Sequence, residues 1–499
     1  MLAIQQQIGA NNLDEAQQLI ENASRQYPND GGLENLLGVV EIERGHTSEA
    51  RKDFSAAIRH DPRLASAYMN LSRMDMPTAA TDAAARAEAL ALSEKAAQRE
   101  PTNDDANYQI ATILSWEKSY PRSLIYLKKL SADARKQVGA ADIFCVVEVA
   151  MGGREAASQA ADALASNPDL TEQDADACLP ALRAARRADL IDAIFAAAGA
   201  RHPLSAGGLR TLGLAEEAEG KLTEARSTLE SAYAAESAAE IVLEDLARVA
   251  QEVKDYQGAL GYLAHARDLK PDDASLPYEF GAICLRIGLY GESRKALEEA
   301  VKLEPENPEY NLGLGTVVSF SEDPSQALPY LNKFHALRPH DVAGILALGA
   351  AYFRAKDYDT AVTWLKQAVA DPKSARDAYF YLGRIAREEG HSDEAMDDLK
   401  QSLTARPDQA DVLAEMGQIY VTERNYAQAA VYLNRAVELD KDNYAANFGL
   451  LELYARTGDP RRAQQSNRFD EIRNKREQWD RDMMRVLEIR KDGDVNGPK

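Results

Sequence analysis

The chain has 499 residues, 45% of them apolar and 28% charged, enough apolar material for a packed core, so disorder is not the default reading. Its 58 Lys and Arg against 80 Asp and Glu leave a formal net charge of −22, which repels phosphate backbones and argues against nucleic acid as a partner. Three separated cysteines, Cys145, Cys178 and Cys284, make neither a disulfide framework nor a CxxC site and read as buried, inert thiols, and no window reaches the roughly 20 apolar residues of a membrane span.

The first residues, MLAIQQQIGANNLDEAQQLI, carry no basic flank, long apolar run or small-residue cleavage site, so the chain as given is expected to be cytoplasmic. Ala16, Ile20 and Ala23 fit the second helix of a helix pair, with few residues left for a first, so residues 1–30 read as a partial repeat. A solenoid end without a polar cap exposes a stacking face, which implies a shortened start or a cover. A missing upstream signal or anchor would place the protein in the periplasm or at a membrane. Residues 31–103 read as two units. In the first, Pro28 and Pro62 stand 34 residues apart and bracket Leu37, Gly38, Gly45, Ala50, Phe54 and Ala57. In the second, Pro62 and Pro101 are 39 apart, and the five extra residues are expected in a loop around DMPTAATDAA, where Pro77 interrupts the helical pattern.

From Asp104 the period is regular. Gly281, Gly315, Gly349, Gly383 and Gly417 follow one another at 34 residues, Gly213 is in register two periods earlier, and Pro271, Pro305, Pro339 and Pro407 keep the same step, with Pro372 one residue early. Taking Asp104 as position one, units begin at 138, 172, 206, 240, 274, 308, 342, 376, 410 and 444. Position eight is then mostly Gly or Ala. Position twenty is small in all units but the one with Ile191, and position twenty-four is apolar until Asn467. A pair of short helices cannot bury its apolar faces alone and must stack on its neighbours, so small residues belong where helices approach. Position eight is expected to let the second helix cross the first, position twenty to let the next unit dock, position twenty-four to fill the space between, and the proline to end the second helix. Between 104 and 205 the units are degenerate, with Cys145 and Leu179 at position eight, yet ADIFCVVEVAM, Gly152, Gly153 and AASQAADALASNP keep the order helix, turn, helix.

Residues 461–491 read as one charged helix in which Phe469, Ile472, Trp479, Met483 and Val486 recur at helical spacing. Ten Lys and Arg face six Asp and Glu there, so the segment is either a cap on the array or a docking helix for an acidic surface. Residues 492–499 read as a frayed tail.

Gly or Ala at position eight, Ala at twenty and twenty-seven and Pro at thirty-two resemble the tetratricopeptide repeat, best in LGTVVSFSEDPSQALPYLNKFHALRP, LGAAYFRAKDYDTAVTWLKQAVADP and MGQIYVTERNYAQAAVYLNRAVELD. The resemblance implies an all-α fold, a right-handed superhelical solenoid of antiparallel helix pairs, with residues 206–470 as its regular array. It also implies a concave groove lined by positions two, five, nine, twelve and thirteen of each first helix. On this chain those positions include Tyr278, Arg286, Phe320, Phe353, Arg354, Phe380, Arg384 and Arg387, with Ala282, Leu312, Thr316, Leu346 and Ala350 between them. Aromatics with cationic edges suit an extended peptide or a helix carrying acidic residues, unless these aromatics only pack between helices. The family's subtype that binds acidic chaperone C-termini needs Lys at position five and Asn at nine of one unit. No unit has that pair, and a chaperone co-factor role is disfavoured.

Catalytic chemistry is not legible. The seven histidines form no HxxxH pair, and His335 and His340 straddle a helix end, where a satisfied surface role is expected rather than metal ligation. Gly313 and Gly315 lack the third glycine and the strand of a dinucleotide loop and read as packing glycines. With no nucleophile elbow or phosphate-binding loop, the chain is expected to be no enzyme and to need no cofactor. The leading expectation is a bacterial, non-catalytic scaffold that binds protein or peptide ligands. The alternatives are an accessory protein of cell-envelope or polysaccharide export and the repeat portion of a larger enzyme such as a glycosyltransferase.

Overall fold

A computed structural model describes residues 1–236 and 240–489, with side chains as far as 478. Its contacts divide the chain into two compact units, Met1–Ser237 and Ala238–Lys499. Each is an array of antiparallel helix pairs, and no strand occurs among the described residues. First helices of successive pairs begin at Asp104, Val138, Glu172 and Ala206 in one unit and at Glu240, Ser275, Pro308, Val342, Ala375, Ala410 and Tyr444 in the other, so the 34-residue step is a step in space.

Position eight shows why the period exists. A Cβ built on Gly281, Gly315, Gly349, Gly383 or Gly417 would come within 2.6–2.8 Å of the position-twenty-four leucine of the same pair, Leu297, Leu331, Leu365, Leu399 and Leu433 respectively. The missing side chain is the seat of that leucine, and each leucine is fully buried. Position twenty differs from its expected role, because it meets position eight of its own pair. Ser293 Oγ donates to the Gly281 carbonyl at 2.7 Å and Ser123 Oγ to that of Ala111 at 2.7 Å. The small side chain lets the two helices of one pair touch before it serves any neighbour.

The turn inside each pair uses a column that the sequence reading passed over. Position fifteen holds a left-handed backbone at Lys118, Gly152, Arg186, Gly220, Lys254, Gly288, Lys356, Gly390, Arg424 and Gly458. The next residue's N–H then reaches back to the carbonyl five residues earlier, as from Asp255 to Ala250 and from Asp357 to Tyr352, which closes the first helix. Between pairs, buried asparagines at position four, Asn107, Asn311 and Asn447, each donate to two carbonyls of the preceding turn. The helices Tyr256–Leu269, Tyr290–Leu303, Leu328–Leu337 and Ser392–Ala405 all stop two residues short of a proline.

The first pair has a short first helix, Leu2–Gly9, of 8 residues against 13 in Gly31–Glu43; it is followed by Leu13–Gln26, and their core joins Ile4 to Ala16 and Ile20. One expectation is corrected. The extra length between Pro62 and Pro101 is absorbed by helices, not a loop: Ala65–Ala79 and Ala83–Arg99 have 15 and 17 residues against 13 and 14 in the preceding pair. Pro77 sits in the last turn of its helix, where the N–H it lacks removes one bond without stopping the chain of bonds around it.

The degenerate stretch keeps its helix pairs, and one core holds Cys145, Cys178 and Leu179. All three cysteines are buried. The Cys178 thiol lies 3.6 Å from the backbone carbonyl and from a carboxyl oxygen of Asp142. The neighbouring Cys145 thiol and burial push Cys178 well above the ordinary thiol range, and burial pushes Cys284 up to about 12. The terminal helix Arg462–Ile489 buries Phe469 and Ile472, with Phe469 against Tyr444 and Phe448, and also meets the helix Tyr256–Leu269 of the same unit. Lys475 and Arg468 both pair with Asp442. The side chains of Trp479, Met483 and Val486, and the tail 492–499, lie outside the described residues.

Candidate functional site

Six of the eight proposed groove residues form one continuous ladder of rings and guanidinium groups. It begins at Phe320, at the end of the first helix Pro308–Val318, whose ring stacks on Tyr290 at 4.8 Å with the planes 8° apart. The Arg354 guanidinium lies 4.0 Å from the Phe320 centroid. It donates to Tyr381 Oη at 3.0 Å and to Ser319 Oγ at 3.3 Å, which fixes it between two helices. Phe353 packs 5.5 Å from the Tyr381 ring, and Arg384 lies over both Phe353 and Phe380, at 4.9 and 5.7 Å. The one-residue offset between Phe353 and Arg354 puts one side chain toward the core and the other along its edge. Phe353 is 9% exposed and Phe320 41% exposed, so the ladder runs from packing at Phe353 to open surface at Phe320 and Tyr290. Each cation–π contact at such partly solvated positions contributes about 0.5–1 kcal/mol.

The ladder ends on a carboxylate supplied by the next unit. Glu415, on the helix Ala410–Thr422, lies 3.1 Å from Arg384 Nε and 2.9 Å from an Arg387 terminal nitrogen. Its side chain is only 14% exposed. Arg384 Nε and one Glu415 oxygen are buried, and neither makes an aligned hydrogen bond among the described residues. The three groups thus satisfy charge at contact distance without the bidentate geometry an arginine and a carboxylate prefer. Arg387 also pairs with Glu388 at 2.6 Å.

Tyr278 and Arg286 stand apart from this ladder. Tyr278 packs on Tyr310 at 4.9 Å and faces Gly313, an inter-helix role, while Arg286 ends its helix exposed. Tyr290, Tyr358, Tyr381 and Glu415 were missed. A signal for two of them exists: position seventeen is Tyr in Tyr120, Tyr256, Tyr290, Tyr358 and Tyr426, at the start of the second helix, where Tyr290 and Tyr358 meet Phe320 and Phe353. His335 is also not the satisfied surface residue expected, since its ring meets Trp364 edge-on at 5.0 Å and its buried Nδ1 has no hydrogen-bond partner among the described residues. No group of three or more His, Cys, Asp or Glu among the described residues converges to hold a metal ion, and no described helix is long and apolar enough to cross a membrane.

Models of the tetratricopeptide repeat match residues 4–65, 319–375, 346–410 and 420–466. Among curated proteins, the chain is 26% identical over 177 residues to the human protein O-mannosyl-transferase TMTC1, covering 35% of this chain and 20% of that one. It is 22% identical over 231 residues to anaphase-promoting complex subunit 3 of Schizosaccharomyces pombe, covering 46% of this chain and 35% of that one. It therefore spans about a fifth to a third of the length of these relatives. A solved tetratricopeptide repeat protein from Parabacteroides merdae aligns over 50% of this chain and 98% of its own, at 15% identity and a TM-score of 0.47. The matched segments fall in both units, and the glycine column behind them seats a large apolar side chain of the same pair, Phe54 on Gly38 and leucines later, so these segments are tetratricopeptide repeats.

Proposed function

We propose that the protein is a non-catalytic scaffold whose ladder from Phe320 to Arg387 binds an acidic segment of a partner protein. The observation that carries this reading is Glu415. Two arginines converge on a carboxylate that accepts no aligned hydrogen bond from either, so a carboxylate from a ligand can compete for them with better geometry, at the cost of releasing Glu415 toward solvent. Rings at Phe320 and Tyr290 extend the surface outward and offer contact area at low entropic cost. Tetratricopeptide repeats serve as protein-interaction scaffolds, and that coarse role agrees with the fold.

Replacing Glu415 tests the reading directly. Glu415→Gln removes the internal competitor and keeps both arginines, so affinity for an acidic partner rises several-fold and its salt dependence steepens. If Glu415→Gln weakens binding, Glu415 belongs to the contact surface and the partner presents cations.

A further inference from the structure

A second site lies in the unit Met1–Ser237. Between the helices Thr47–His60 and Ala65–Ala79 is a cavity of about 740 Å³ whose walls include Arg51, Lys52, Arg59, Arg73, Ser48 and Ser55. Residues 48, 51, 52, 55 and 59 recur at helical spacing, so one helix face supplies three of the four cations, and Arg73 comes from the opposite wall. That wall is the first helix of the unit that departs from the 34-residue period.

The charges are only partly balanced. Arg51 pairs with buried Asp75, and Arg73 pairs with exposed Asp105 at 3.0 Å. Lys52 and Arg59 are exposed and form no ion pair among the described residues, and no carboxylate lines the cavity. Like charges gathered in one recess repel, and in a chain of net charge −22 nothing about solubility requires them to gather. Thr47 and Ser48, in the first turn of the helix, also line the recess; His46, the residue before that helix, makes no side-chain cap, and Glu49 in the same turn offsets part of the positive helix end.

We propose that this cavity binds a compact ligand bearing at least two phosphate groups. Three guanidinium groups and a lysine match phosphate oxygens as bidentate and point-charge partners, and the serines add hydroxyl donors. The volume fits a small molecule; Ile42, Met74 and Pro77 also line the recess, so it is the four cations that select for charge. A long phosphate polymer would meet the acidic remainder of the chain, whereas a compact ligand stays within a Debye length, about 8 Å, of the four cations.

Calorimetric titration of the full chain with inorganic pyrophosphate tests this. One saturable site is expected, weakening as salt rises. Lys52→Ala with Arg59→Ala, both at exposed positions, weakens it at least tenfold with an unchanged circular dichroism spectrum, and Arg73→Ala does so independently. The control Lys366→Ala with Lys400→Ala stays within twofold of wild type. The proposal is overturned by absence of saturable binding, by unchanged affinity in both cavity variants, or by an equal loss in the control. It is also overturned if a phosphoserine peptide binds the same residues more tightly than pyrophosphate, since the ligand would then be protein-borne.

Discussion

At Gly417 an added methyl group would meet Leu433 Cγ at 2.6 Å and Cδ2 at 2.7 Å, inside the array rather than at a flexible tip. Gly417→Ala is therefore expected to destabilise the protein by about 1–3 kcal/mol, read as a lower denaturant midpoint. Gly291 has nothing within 4 Å of its missing Cβ and lies in a helix, so Gly291→Ala stabilises by about 0.5–1 kcal/mol in the same assay. The opposite signs separate packing glycines from incidental ones. Partly buried carboxyls give a second residue-scale expectation. Burial pushes Asp142 up to about 7, burial with Glu41, Glu34 and Glu49 pushes Asp53 up to about 6, and burial with Glu394 pushes Asp398 up to about 6. These groups bind protons more tightly folded than unfolded, so they favour folding at low pH and that contribution is lost as pH rises from about 4 to about 7. Asp459, held near 2 by Arg461, acts in the opposite sense and loses its contribution as pH falls below about 4. Thermal stability is expected to rise from pH 8 toward pH 5. Asp142→Asn should raise it at pH 8 on the order of 1 kcal/mol, after allowance for solvent screening, and by less at pH 5. A larger gain at pH 5 than at pH 8 would contradict this assignment.

At the scale of the helix pair, stability is a sum of pairs and their neighbours. Ala429 is fully buried on the second helix Tyr426–Leu439, and Ala429→Leu overpacks it at a cost of about 1–3 kcal/mol. Hydrogen exchange should rise between about 400 and 460 and stay unchanged between about 30 and 60, while uniform loosening would contradict nearest-neighbour coupling. The helix pairs were legible because one glycine and one leucine column repeat with the chain. The turn column was half-hidden, since Lys118, Arg186, Lys254, Lys356 and Arg424 hold the same left-handed turn as the glycines and only the backbone displays it. The extra residues before Pro101 were misplaced for a related reason: sequence shows an insertion's length, and packing decides whether it extends a helix or a loop. Among site residues, Arg354 and Arg384 were legible as cations at groove positions thirteen and nine. Glu415 was not, because its contact joins two units and depends on how far arginine side chains reach across them.

At the scale of the molecule, two recesses of an acidic chain gather cations in different ways. The ladder places Arg384 and Arg387 on an internal carboxylate, whereas the cavity beside Arg59 leaves cations unpaired. Arg384→Ala alone strands Glu415 beside a single cation, so loss of binding is cleanly read only in a background carrying Glu415→Gln. The central measurement is the affinity of a partner, identified with the full chain as bait, for the Glu415→Gln protein with and without Arg384→Ala and Arg387→Ala. Binding is expected to fall by on the order of 1–3 kcal/mol when both arginines are lost, with a smaller salt dependence, while Lys366→Ala with Lys400→Ala changes nothing. An affinity indifferent to the arginines and to Phe320, but lost on removal of residues 461–491, would contradict the account and move the binding surface to the terminal helix.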